Sequence, residues 1–295
     1  MALAALAEPH AVPSAPFLEF DRVTKNFPSP DGRGQVCVFR DVAFTMAQGE
    51  FLTMVGHSGC GKSTLLNIIA GLERATEGAV LLEHRPVVRP GMDRMVVFQN
   101  FSLMPWMTVF ENVRLAVRAA YPAWSRGEVN GYVQRYIDMV GLTGEEDKRP
   151  AALSGGMRQR VGLARAFSTQ PKVLLLDEPF AQIDALTRGA IQDELVRMWM
   201  ASRNTVFMAT HDVDEAILLS DRIALMTSGP DARLAGVIDV GLGRPRVRAE
   251  LLDDREYVRL RTHILRFLME GGRRPRPEED VAAAPGRAPA LAPGI

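Results

Sequence analysis

Residues 51–70, FLTMVGHSGCGKSTLLNIIA, decide the fold of this chain. Phe51 to Val55 is an unbroken apolar run of strand length, and Lys62 to Ala70 reads as a helix. The turn between them, Gly56 to Thr64, fits the spacing G-x-x-x-x-G-K-[ST] of a phosphate-binding loop. Its glycines let the backbone curl so that successive N–H groups point inward at phosphate oxygens, and the helix N-terminus adds its dipole. Gly56, Ser58, Gly59, Cys60, Gly61, Lys62, Ser63 and Thr64 are therefore expected to line a nucleotide. Lys62 would reach the β- and γ-phosphates, and the Ser63 hydroxyl would face Mg²⁺. Cys60, beside Lys62 and next to a helix start, is expected to be a reactive thiolate that nucleotide protects. The loop alone says only that a nucleotide is bound.

Outward from the loop, short strands are expected at Phe17 to Val23, Val36 to Phe39 and Asp41 to Met46, then at Gly78 to Leu82 and Met95 to Phe98. A Pro/Gly turn at Pro28 to Gly34 separates the first two. From Val109 to Phe167 the periodicity is helical. Strands return at Val173 to Asp177, Thr205 to Ala209 and Arg222 to Met226, alternating with helices near Leu186 to Met200 and Val213 to Leu219. The pattern predicts an α/β core with a helical insertion and a small β-rich patch at its N-terminal edge. One more amphipathic helix is expected from Ala249 to Met269. The flanks, residues 1–15 and 271–295, read as a flexible lead-in and a disordered Pro/Ala/Arg-rich tail. Equal numbers of basic and acidic residues, 35 each, argue against a nucleic-acid binder. No apolar run is long enough to span a bilayer, and the N-terminal stretch lacks the basic start of a signal peptide, so a cytoplasmic protein is expected.

Three further segments carry chemistry. Val173 to Glu178 is a buried-type strand ending in two carboxylates, expected beside the strand that feeds the loop. Asp177 would hold the metal and Glu178 would polarise the attacking water. His211 follows another apolar strand and is a candidate for touching a γ-phosphate, whereas His10, His84 and His263 read as structural. Leu153 to Arg160, LSGGMRQR, pairs an N-cap serine, Ser154, with two glycines, Gly155 and Gly156, whose N–H groups stay open at a helix start. That is a second anion site in one chain.

Taken together, GHSGCGKST, Gln99, LSGGMRQR, LLLLDEP and His211 resemble, in order and spacing, the ATP-binding subunit of ABC transporters. The resemblance covers residues 16–270, with the helical subdomain at about 100–168. It implies a P-loop NTPase core with an N-terminal antiparallel β subdomain, ATP and Mg²⁺ as ligands, and a head-to-tail dimer. In that dimer Ser154 and Gly156 of one subunit would close on ATP held by the other. Gln99 would be the hinge glutamine sensing Mg²⁺ and water, Phe27 would stack on adenine with Val38 lining the pocket, and Asp184 would take the D-loop position. The partners implied are an integral-membrane permease, a second ATP-binding subunit and, indirectly, a periplasmic-type solute-binding protein, which puts the chain on the cytoplasmic face of the membrane. Within the family the sequence is similar to importers of nitrate, sulfonates, taurine and cyanate, with His57 and the LMPW segment leaning towards nitrate or nitrite. It departs at Phe180 to Asp184, FAQID where relatives read FGALD, and the β-rich regulatory domain of sugar importers is not expected in it. The alternative, a soluble ABC ATPase of DNA repair or translation, would bring coiled coils, zinc modules or tandem ATPase domains, which the sequence does not show.

Overall fold

The computed structural model of the chain describes residues 16–29, 32 and 34–271. The expected lead-in and, but for its first residue, the expected tail lie outside them. The elements run β1 (Leu18–Pro28), β2 (Gln35–Met46), β3 (Phe51–Val55), α1 (Lys62–Ala70), β4 (Glu77–Leu82), β5 (Arg85–Pro86), β6 (Arg94–Val97), α2 (Val109–Ala120) and α3 (Arg126–Met139). There follow α4 (Gly155–Phe167), β7 (Val173–Asp177), α5 (Ala185–Ser202), β8 (Thr205–Thr210), α6 (Val213–Leu219), β9 (Arg222–Met226), β10 (Leu234–Asp239), α7 (Arg248–Leu251) and α8 (Arg255–Met269).

Two sheets organise them. A four-stranded antiparallel sheet has the order β2-β1-β4-β5, and a six-stranded sheet has the order β10-β9-β3-β8-β7-β6. In the larger sheet only β10 runs antiparallel to its neighbour. Its inner strands are apolar at nearly every position because both faces are covered. Along β7, Val173 and Leu175 pack toward α1 and the smaller sheet, while Leu174 and Leu176 pack toward the helices on the other side. The alternation follows from the two-residue repeat of a strand. The helical insertion holds α2, α3 and α4; capping boxes at Thr108/Glu111 and Ser125/Glu128 start its first two helices.

Several expectations change. β8 lies between β3 and β7, so the acidic strand is not the immediate neighbour of the strand that feeds the loop. Long crossovers free parallel strands from sequential order, and the apolar pattern carries no neighbour information. The two strands expected at Val36 to Phe39 and Asp41 to Met46 are one, β2, passing through Asp41 at φ 54°. The single C-terminal helix is split: Asp254 accepts from the N–H groups of Glu256 and Tyr257 and starts α8 afresh.

The segment after β10 is tied down by two arginines. Arg244 pairs with Asp221 at 2.9 Å and lies over the Trp199 ring. Arg246 donates to the carbonyls of Ile217, Leu218, Ser220 and Leu242, capping the end of α6. Burial pushes the Arg246 guanidinium down to about 9.

Candidate nucleotide site

The loop between β3 and α1 is built to leave donors open. Gly61, at φ 97°, caps α1 without any side-chain hydrogen bond, and no acidic residue sits in the helix's first turn. A Cβ at Gly61 would fall 2.6 Å from the Phe39 ring and 2.7 Å from Val38, so only glycine lets β2 press against the loop. This also brings Val38, expected to line the adenine pocket, against the loop. Lys62 is buried and donates to the carbonyls of Gly56 at 2.8 Å and His57 at 3.1 Å. A phosphate oxygen is a stronger acceptor for its ammonium group.

Ser63 Oγ donates to Asp177 Oδ1 at 2.8 Å, so the first turn of α1 meets the end of β7 across the intervening strand. Burial raises the Asp177 carboxyl above its ordinary range, and the Ser63 hydroxyl opposes that shift. A hydroxyl and a half-buried carboxylate form an all-oxygen donor pair, which fits Mg²⁺ completing its shell with phosphate and water.

At the next position Glu178 turns out of the strand with φ 44°, a left-handed conformation that costs on the order of 1 kcal/mol for a non-glycine residue. Its Oε1 lies 3.3 Å from His211 Nδ1, carried just past the end of β8. Gln99 is exposed in the turn two residues past the end of β6, the strand paired with β7. Sequence reasoning missed Lys25, whose ammonium sits 4.5 Å above the Phe27 ring centroid and is held by Glu73 at 2.8 Å and the Arg74 carbonyl at 2.9 Å. The signal was there: residues two apart on a strand share a face.

Other candidates lie apart. Ser154 caps α4 by accepting from Met157 N–H, and its side chain makes no bond outside that turn among the described residues. A Cβ at Gly156 would meet Thr187 Cγ2 at 2.7 Å, so this glycine lets α4 lie against α5. Asp184 caps α5 by accepting from Thr187 N–H and Oγ1, both at 2.9 Å, which hold its carboxyl below the usual range.

Cys60 corrects an expectation. Its thiol is fully buried, and burial pushes its pKa up despite Lys62 nearby. The side chain turns beneath the loop, and a Cβ at Gly56 would fall 2.8 Å from its sulfur. It is a packing group, not a reactive thiolate.

The model of the ABC transporter family matches residues 39–181. The nitrate import ATP-binding protein NrtD of Synechococcus elongatus is 49% identical over 252 residues, 85% of this chain and 91% of that protein. The chain belongs to the ABC transporter family. The bicarbonate transport ATP-binding protein CmpD of the same species is 46% identical over 87% of this chain and 93% of its own length. Among solved structures, the ATP-binding cassette MJ0796, a dimer in a post-hydrolysis state bound to ADP and Pi, matches with a TM-score of 0.67. That match is 30% identical and covers 76% of this chain and 98% of the other. This ABC protein is thus an ATP-binding subunit and an ATPase, with the mixed α/β architecture of the cassette. Among the described residues no helix is long and apolar enough to cross a membrane.

Proposed function

We propose that this ABC ATPase powers an importer of nitrate or a related small anion, bicarbonate included, from the cytoplasmic face of the membrane. Its similarity to nitrate and bicarbonate import subunits over most of the chain supports the transport class. The observation that carries the mechanism is the convergence of Ser63 with Asp177 and of Glu178 with His211.

In this reading the open N–H groups of the loop and Lys62 bind the ATP phosphates, and Phe27, backed by Lys25, stacks on the base. Ser63, Asp177 and Gln99 would hold Mg²⁺, which supplies charge neutralisation at the phosphates. Glu178 accepts a proton from the attacking water, and His211 orients that water and the γ-phosphate. Ser154 and Gly156 act on ATP bound by a second subunit, so each site is shared across a two-fold interface. Trp106, 65% exposed in the segment after Gln99, supports permease docking there, since an exposed tryptophan is an effective interface anchor.

Glu178→Gln tests the mechanism. It should bind ATP, lower kcat by about 10²- to 10⁴-fold, and dimerise with ATP but not ADP in light scattering. Hydrolysis at the wild-type rate would remove Glu178 from the reaction. Nitrate and bicarbonate uptake by vesicles holding the assembled transporter decides the solute.

A further inference from the structure

His211 stands between two fastened neighbours. Glu215 Oε2 accepts from Thr210 Oγ1 at 2.9 Å, and Thr210 Oγ1 accepts from the Asp212 N–H at 3.1 Å. The Asp212 carboxylate accepts in turn from the Glu215 N–H at 3.0 Å. These bonds close a ring around the backbone that carries His211. The other Glu215 oxygen, Oε1, accepts from Gln192 Nε2 on α5 at 3.2 Å. Arg248 Nη2 donates to Gln192 Oε1 at 2.8 Å, which turns the amide nitrogen toward Glu215. Both Glu215 and Gln192 are buried. Asp184 caps α5, so the Glu215 carboxyl joins the histidine loop to the element that starts just after the Asp184 loop.

We propose that Glu215 is a positioning residue for ATP hydrolysis, its carboxyl tying the Thr210–Asp212 segment to α5 so that His211 stays within reach of Glu178. The inference rests on the reading of His211 given above. Glu215 also lines a cavity of about 480 Å³ between α5, α6 and the C-terminal helices, which gives it a route to solvent protons. The charged and titratable groups around it are Arg188 and Asp193 on α5, His211 after β8, Asp212 and Asp214 at α6, Arg248 on α7, and Tyr257 and Arg261 on α8. Burial, with Asp212 adding to it, pushes the Glu215 carboxyl up to about 7, against the pull of Thr210, Arg188 and His211. Ionised, it accepts from both Thr210 and Gln192. Protonated, it keeps one acceptor and turns the Thr210 hydroxyl round.

The test is steady-state ATPase kinetics of the full chain across pH 5.5–8.5, on the order of the range spanning this carboxyl. Glu215→Ala should lower kcat about tenfold with KM for ATP nearly unchanged, because misplacing a reacting group costs rate while the phosphate loop stays intact. Glu215→Gln keeps both links, so it should hold the kcat of the acid side of the wild-type profile and lose the step near pH 7 that Glu215 contributes. Gln192→Ala cuts the tie from the other end and should be non-additive with Glu215→Ala. If Glu215→Ala does not fold, Gln192→Ala decides alone. Wild-type kcat in both alanine variants, or Glu215→Gln as defective as Glu215→Ala at every pH, overturns the proposal. His211→Ala at the wild-type rate would instead overturn the underlying reading of the site. An inactive His211→Ala beside fully active tie variants would overturn only the tie.

Discussion

At the start of α1, glycine caps the helix and leaves its N–H groups free, with Lys62, Ser63 and Asp177 gathered round them. At the start of α4, Ser154 and two glycines present similar donors, but their neighbours are the Gln182 carbonyl, Thr187 and Ile191. No acidic residue occupies the first turn of either helix. One helix start has a lysine and a carboxylate–hydroxyl pair around it; at the other, Arg158 turns back to the Leu153 carbonyl at 3.1 Å and, among the described residues, the Ser154 hydroxyl bonds only within its own turn. Leu186, 96% exposed two residues after Asp184, lies on the element packed beside that second helix start. Among the described residues this helix start has no counterpart of the Ser63–Asp177 pair, and with the exposed leucine beside it, it fits the proposal that a second subunit completes the site.

The strongest way to break this contrast is Ser154→Arg in the Glu178→Gln background. It should abolish the ATP-dependent dimer in light scattering while each subunit still binds nucleotide. A dimer that survives would mean that α4 does not face the shared ATP. The next test asks how the completed half is held. The folded chain keeps a proton on Glu215 up to about 7, while the unfolded chain releases it near the ordinary glutamate value of 4.5. Stability from this group is therefore full at pH below the unfolded value and is lost as pH rises through 7. Glu215→Gln should remove that slope, a difference on the order of 3 kcal/mol by pH 8 in denaturant melts. Gly156→Ala sharpens the contrast from the packing side: its methyl would collide with Thr187, costing about 1–3 kcal/mol in the same melts. The smallest effect is chemical. Maleimide should label half-buried Cys37 in the folded protein and leave Cys60 untouched until denaturant is added.

Local chemistry was legible in the sequence, and direction was not. Phe51–Val55, Lys62–Ala70, Val173–Asp177, Val213–Leu219 and Arg222–Met226 stand where the apolar patterns place them. Each is a largely buried segment, and glycines at 56 and 71 end the first two. β1 outruns its predicted end because Thr24, Lys25 and Asn26 interrupt the apolar run; Thr24 Oγ1 accepts from Asp41 N–H, Lys25 pairs with Glu73, and the Asn26 backbone N–H donates to Thr76 Oγ1. β10 was invisible, since its LAGVID segment is only half-buried at the sheet edge and shows no alternation. Cys60 misled for a similar reason: spacing sets a residue in the loop but does not say on which side its sulfur lies. The pairs Ser63–Asp177 and Glu178–His211 depend on strand order, which no local pattern encodes.

The buried Arg246 has a practical consequence for anyone cutting or fusing this chain. Its guanidinium fastens four carbonyl oxygens, three of them at the end of the helix that opens beside His211. A truncation before residue 244 would strip those oxygens of their donor and uncover Trp199, so damage would reach the His211 loop from a distant cut. A fluorescent reporter or affinity tag belongs beyond Met269, where α8 has ended and this clamp is left whole.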